Sequence, residues 1–266
     1  MRANLAQAIA YIRQHGGPLE LARLHAALGE RAAVEEARQQ VAALQNPDGG
    51  WPYRQQEGQP SSLAATHHAL TWLAELDLHS DPVSQRGLDF LIATQQPDGS
   101  WRESGQIARL NPPQWMAPGN EMANVYLTAD SAYHLAVSRD AELEAVTRAC
   151  NYLYQLELDA QYPQTIWIMG ALFSVAEGEA SEVAQMAREY LEARLDDQWD
   201  ASALAWLLNT YLNAGINPTS SLLTRARALL ENLQQPNGSF ASDDGDPFTL
   251  DVTIQAVRAL QAAGVA

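Results

Sequence analysis

The chain has 266 residues, a formal charge of −16 at pH 7, and 47% apolar residues, enough to bury a large core. All sixteen basic residues are arginine, so lysine Schiff-base chemistry and a phosphate-loop lysine are excluded. The acidic balance argues against nucleic-acid binding and against an anionic membrane surface, and the single Cys150 rules out an intrachain disulfide. The start, Met1-Arg2-Ala3-Asn4-Leu5, carries no long apolar run, and no stretch is long and apolar enough to span a bilayer, so the expected location is cytoplasmic.

In chain order, helical patterns alternate between two characters. Thr165-Ile166-Trp167-Ile168-Met169-Gly170-Ala171-Leu172-Phe173, Ala201 to Tyr211 and Leu63 to Ala74 are apolar nearly all round, and counting the alternation gives inner-helix candidates at 18–28, 61–77, 122–138, 163–175, 200–213 and 247–263. Segments near 32–44, 82–94, 140–155, 180–195 and 218–234 are amphipathic. In 180–195, Val183, Ala187, Tyr190 and Leu191 form one stripe. A helix apolar on every face must be covered on every face. The alternation therefore predicts an all-α protein, an α/α toroid of about six helical hairpins with inner and outer rings. No segment shows the period-two alternation of a strand. We expect a single domain over 1–266. Its longest irregular stretch, 102–121, contains Asn111-Pro112-Pro113-Gln114-Trp115-Met116-Ala117-Pro118-Gly119 and is a candidate lid or binding loop, with a surface insertion as the alternative.

Three segments between the helices repeat: Gln45-Asn46-Pro47-Asp48-Gly49-Gly50-Trp51, Gln95-Gln96-Pro97-Asp98-Gly99-Ser100-Trp101 and Gln234-Gln235-Pro236-Asn237-Gly238-Ser239-Phe240. The first two lie 50 residues apart and the third 139 further on, which fits units of roughly 46 residues. Degenerate copies are expected at Asp196-Asp197-Gln198-Trp199 and near Gln155 to Tyr162. Pro, Asp or Asn, and Gly stop a helix and turn the chain. The aromatic can pack back over the turn, and the glutamine can reach backbone groups at a neighbouring helix end. These residues read as structural rather than catalytic.

These copies resemble the glutamine–tryptophan repeats of squalene–hopene cyclases and related terpene cyclases. The stretch Thr249-Leu250-Asp251-Val252-Thr253-Ile254-Gln255-Ala256-Val257-Arg258-Ala259-Leu260 resembles the inner helix that follows such a repeat in cyclases and in prenyltransferase β subunits. The resemblance implies a toroid whose inner helices surround an apolar cavity for an isoprenoid chain. It fixes the activity poorly, since one fold hosts many functions.

Class II cyclases of this kind protonate an alkene with a carboxylic acid made unusually acidic by its neighbours. Their Asp-x-Asp-Asp motif is absent here. The nearest material is Asp243-Asp244-Gly245-Asp246 followed by Asp251, in the turn leading into an inner helix. These four acids are the candidate proton donors, and a solvated acidic turn is the alternative. The zinc set of the protein prenyltransferases has no counterpart: Cys150 lacks metal-like spacing to a histidine, and His67 and His68 point about 100° apart, with His134 on the next inner helix. Asp196-Asp197-Gln198-Trp199-Asp200 matches the magnesium motif of class I synthases by letters, but falls on a degenerate repeat. No metal and no cofactor are expected.

Trp72, Tyr126, Tyr133, Trp167, Phe173, Trp206, Tyr211 and Phe248 lie on or beside inner helices, where rings can stabilise carbocations or simply fill the core. The candidate substrate-binding residues are Tyr126, Trp167 and Phe248, near inner-helix starts, with His67, Trp115 and Asp130. Three functions remain open. The first is an isoprenoid-binding, terpene cyclase-like protein with proton-initiated cyclisation or isomerisation. The second is a non-catalytic toroid that binds a lipid, a partner protein or a further domain. The third is a glycosidase-like α/α barrel using Asp130 and the 243–251 acids as paired carboxylates.

Overall fold

A computed structural model describes residues 3–156, 161–196 and 198–262. Its helices are α1 (Leu5–His15), α2 (Pro18–Ala27), α3 (Val34–Ala43), α4 (Leu63–Glu75), α5 (Pro82–Thr94), α6 (Gly105–Ala108), α7 (Glu121–Ser138), α8 (Glu144–Leu153), α9 (Pro163–Glu177), α10 (Glu182–Arg194), α11 (Ala201–Asn213), α12 (Ser221–Asn232) and α13 (Thr249–Ala262). All six inner-helix candidates contain helices, and so do the five amphipathic segments. An unexpected element is the two-residue antiparallel pair β1 (Trp51–Pro52) and β2 (Ser61–Ser62). It forms because the chain after the first repeat doubles back to start α4, which makes it too short to show a sequence period. The 102–121 stretch is also less irregular than expected: it holds α6 and a 3-10 turn at Gln114–Met116.

The chain divides into two compact units, residues 38–187 and residues 1–37 with 188–266. In the first, α7 packs on α4, α5, α8 and α9. All its residues from Ala123 to Ala136 are buried, as a helix covered on every side requires. In the second, α13 packs on α1, α2, α11 and α12, so the C-terminal helix is built against the N-terminal pair.

The repeats explain how each turn is held. Gly49, Gly99 and Gly238 adopt φ of +92°, +88° and +92°, the left-handed region that side chains rarely tolerate. A Cβ on Gly49 would lie 2.5 Å from the Arg86 carbonyl, and one on Gly238 2.5 Å from that of Gln7. Each turn is therefore pressed against the first turns of another amphipathic helix: α5, α8 or α1. The glutamine amide clamps the same junction. Gln45 Nε2 donates to the Gly49 carbonyl (2.8 Å) and the Val83 carbonyl (3.0 Å), and Gln95 Nε2 to Gly99 (3.0 Å) and Ala145 (2.8 Å). Gln234 Nε2 donates to Gly238 (3.0 Å) and Asn4 (3.0 Å).

The aromatic turns back beneath the helix that precedes it. Trp51 Nε1 donates to the Val41 carbonyl at 2.9 Å and Trp101 Nε1 to the Leu91 carbonyl at 2.7 Å, and both rings are fully buried. Their backbone N–H groups find a partner that the motif itself does not contain, a threonine hydroxyl one or two turns into a later helix, α4, α7 or α13. Trp51 N donates to Thr66 Oγ1 (3.0 Å), Trp101 N to Thr128 Oγ1 (2.9 Å) and Phe240 N to Thr253 Oγ1 (3.0 Å). Each hydroxyl in turn donates to the carbonyl four residues back, so the buried aromatic N–H and the threonine hydroxyl of each junction are both satisfied.

Candidate functional site

The acids favoured by the sequence divide. Asp243, Asp244 and Asp246 are exposed on the turn before α13. Burial first, then Asp243 and Asp200, raise the Asp244 carboxyl above its ordinary range. Phe248, at the end of the same turn, is 51% exposed. Asp251 lies on the first turn of α13 and is engaged elsewhere. Its Oδ1 is 2.6 Å from the buried Arg23 guanidinium, and its Oδ2 accepts from Gln255 at 2.9 Å. This pair joins α2 to α13 and reads as architecture. In the degenerate repeat, Asp196 Oδ1 accepts from the Gln198 backbone, Trp199 Nε1 donates to the Arg194 carbonyl, and Asp200 caps α11 through Ala203. Those roles account for Asp196 and Asp200. Asp197 and part of the copy near Gln155 to Tyr162 lie outside the described residues. Cys150 is buried, and burial pushes its thiol up to about 12, which leaves it inert.

The cluster that the structure assembles lies between α4 and α7. Asp130, only 5% exposed, points at His67, whose Nδ1 is 2.9 Å from Asp130 Oδ2. The other imidazole nitrogen, Nε2, is 2.8 Å from Ser131 Oγ. The Tyr126 hydroxyl donates to the same Asp130 Oδ2 at 3.4 Å. Oδ1 faces His134 Nε2 at 3.7 Å, and the His67 and His134 rings stack with centroids 5.4 Å apart. His68 turns away, as adjacent helical positions must, and its ring lies 4.4 Å from that of Trp72.

Electrostatics set the protonation states. Burial alone would raise Asp130, but His67, His134 and Tyr126 outweigh it and hold the carboxyl below its ordinary value. Burial, reinforced by Asp130, lifts Tyr126 well above the usual phenol range, so it stays a donor. Burial also takes His134 down to about 4, against the pull of Asp130 and with the push of His67 and His79. His134 is thus neutral near pH 7. The arrangement is a carboxyl whose anion is stabilised by its neighbours, and therefore a stronger acid than an ordinary buried aspartate.

Two features of the 102–121 stretch tie it to this cluster. Glu103, which the sequence reading passed over, is buried. It accepts from Ser62 Oγ (2.5 Å) and from the Leu63 and Ala64 backbone (3.1 Å each), capping the helix that carries His67. Burial raises its carboxyl, and those hydrogen bonds oppose the rise. The only local signal was an acid two residues past the repeat tryptophan. Further along, Trp115 is 43% exposed and sets its ring edge-on to Tyr126, centroids 5.7 Å apart. Ile107 and Met116 bury against Tyr53, anchoring the stretch with its own small core.

Of the six candidate substrate-binding residues, His67, Tyr126, Asp130 and Trp115 come together here. Trp167 on α9 is fully buried, and its ring fills the core. The association of His67 with Asp130 was not legible, because 63 positions separate them.

The fold is an α/α toroid like that of solved terpene cyclases. The chain is similar in structure to the type II terpene cyclase MstE from Scytonema. Without ligand that enzyme matches with a TM-score of 0.66 and 16% identity over 97% of this chain and 96% of that one. A variant in complex with its substrate, geranylgeranyl dihydroxybenzoate, gives 0.63 and 17% over 98% and 97%. Another, in complex with its product, merosterolic acid A, gives 0.64 and 18% over 98% and 96%. At these identities the likeness is one of fold. In sequence, the squalene–hopene cyclase of Bradyrhizobium diazoefficiens is 34% identical over 84 residues, a stretch covering 28% of this chain and 13% of that enzyme. No protein-family profile matches. Among the described residues no helix is long and apolar enough to cross a membrane.

Proposed function

We propose that this protein binds an isoprenoid or similarly apolar ligand beside α4 and α7 and starts its cyclisation by protonation, with Asp130 as the acid. The observation that carries the reading is the buried Asp130 carboxyl held 2.9 Å from His67, with Tyr126 on the same oxygen. Protonating an alkene demands an acid whose conjugate base is stabilised before the reaction begins. His67 and Tyr126 provide that at Oδ2, and low solvent exposure strengthens each interaction. Tyr126, Tyr133 and Trp115 offer ring faces and edges nearby, the groups suited to a developing carbocation. The neighbour's substrate carries a geranylgeranyl chain, which motivates the choice of ligand class. The 243–251 acids fit the role less well, being exposed or paired with Arg23.

The test is incubation of the full chain with geranylgeranyl dihydroxybenzoate in D2O, with products followed by mass spectrometry. The expected result is a cyclised product carrying one deuterium, formed at least about 100-fold more slowly by Asp130→Asn. Full activity in Asp130→Asn overturns the assignment. Binding without product by the wild-type protein instead supports the non-catalytic toroid.

A further inference from the structure

The imidazole of His67 meets two neighbouring positions of α7, one at each ring nitrogen. Nδ1 stands 2.9 Å from Asp130 Oδ2, and Nε2 stands 2.8 Å from Ser131 Oγ. Adjacent helical positions point about 100° apart, so a ring entering from α4 between them reaches both. Ser131 is fully buried, and among the described residues His67 Nε2 is the one hydrogen-bond partner of its hydroxyl. An Asp–His–Ser chain is also the order of a hydrolase triad. Here the serine lies in the middle of α7, out of contact with solvent, and the N–H groups beside it are spent within the helix, so they cannot serve as an oxyanion hole. Ser131 is therefore no nucleophile.

That single partner fixes the direction of the hydrogen bond. The serine O–H donates and Nε2 accepts through its lone pair. The reverse arrangement, with Nε2–H donating to Oγ, strands the buried hydroxyl proton, which is costly. A neutral imidazole carries one ring proton, and the bond made at one nitrogen decides which nitrogen holds it. With Nε2 accepting, the ring proton sits on Nδ1, on the side of Asp130.

We propose that Ser131 is a positioning residue that keeps His67 in its Nδ1–H form in both states of the acid. This role rests on Asp130 being the acid. When Asp130 is ionised, its own charge already favours an N–H at Nδ1. When Asp130 carries the proton that it is to deliver, that pull is gone. The other tautomer, with a lone pair at Nδ1, would then accept the carboxyl proton in a hydrogen bond and hold it against the ring. Ser131 disfavours that tautomer from the opposite side of the imidazole. His67 thus faces the acid as a donor before and after proton transfer, and the carboxyl proton is left for the ligand. The other groups around the ring do not make this choice. His134 stacks on its face, and Glu103 is felt through its charge. Ser131 acts through His67 and touches no reacting atom.

Nitrogen-15 NMR of the full chain, labelled at its histidine rings, reads the tautomer directly, and the His67 signals are those that vanish in His67→Phe. Spectra are taken at about pH 8.5, where an ordinary histidine is neutral. Asp130→Asn gives the site an uncharged side chain in place of the protonated acid, and in that variant His67 is expected in the Nδ1–H form. Adding Ser131→Ala is expected to lower the ratio of Nδ1–H to Nε2–H about fivefold, the preference that one hydrogen bond of ordinary strength sustains. Ser131→Thr in its place is expected to keep the ratio. An Nε2–H ring in Asp130→Asn, or an unchanged ratio on adding Ser131→Ala, overturns the role of Ser131. No ligand enters this measurement. With geranylgeranyl dihydroxybenzoate, Ser131→Ala in the otherwise wild-type chain is expected to lower kcat about fivefold with KM unchanged, and an undiminished kcat overturns the positioning role. Activity retained in Asp130→Asn overturns the acid assignment instead, and the NMR ratios still decide what holds His67.

Discussion

The buried imidazole of His134 makes a pH-dependent contribution to stability. In the unfolded chain a histidine takes up its proton near 6.5, whereas here burial lowers it to about 4. Between those values the unfolded state holds more protons than the folded one, so acid favours unfolding. The contribution is intact above about pH 6.5 and is lost as the pH falls toward 4. At about 1.4 kcal/mol per pH unit, most of the interval is crossed between pH 7 and pH 4.5, a loss of about 2–3 kcal/mol. Carboxylates such as Asp81, Asp98 and Asp130 are also lowered in the folded state and lose stability over an overlapping, more acidic range, so the wild-type curve alone does not isolate the histidine. The difference from His134→Leu does. Urea denaturation at half-unit intervals from pH 7 to pH 4.5 should show the wild type losing about 2–3 kcal/mol more than the variant. Parallel curves would refute the claim that His134 is buried neutral.

Three further outcomes follow from the architecture. Thr128→Val strands the buried N–H of Trp101 and should cost about 1–3 kcal/mol by urea denaturation, with Thr128→Ser close to wild type. Gly99→Ala forces a Cβ into the Arg148 carbonyl at a φ of +88° and should cost about 3 kcal/mol or more, read as a drop in melting temperature. Arg23→Met leaves Asp251 without its guanidinium in a largely covered position and should lose about 3–5 kcal/mol. Restoring that loss with Asp251→Leu in the same chain, measured as a double-mutant cycle, would mark the pair as structural rather than catalytic.

The part of the fold that was legible rested on periodicity and on turn chemistry. Segments such as 163–175, apolar on every face, announced inner helices, and Pro-Asp-Gly turns marked where hairpins end. Both are local: whether a helix must be covered, or a glycine must take positive φ, is written in a few adjacent residues. The threonines that receive the repeat N–H groups were missed because Thr66, Thr128 and Thr253 stand 15, 27 and 13 residues past their aromatics, so no fixed spacing exposes them. The two-residue strands were missed because four residues carry no period.

For the site, sequence offered a list of chemically able side chains and a bias toward the densest acidic run. That bias misleads for a physical reason: adjacent carboxylates are easiest to accommodate in water, and Asp243, Asp244 and Asp246 remain there. A functional acid is made by what surrounds it. His67 reaches Asp130 and Ser131 only because α4 and α7 pack side by side, with Glu103 fastening the start of α4, whereas Tyr126 and His134 lie one turn away from Asp130 on its own helix. Composition and pattern thus determined by themselves that the chain is helical and repeated, since those properties follow from local covering of apolar faces and local turn chemistry. Which carboxyl is buried and which imidazole stands at 2.9 Å from it were decided by tertiary packing alone, because an acid's strength depends on neighbours that the chain brings in from far along its length.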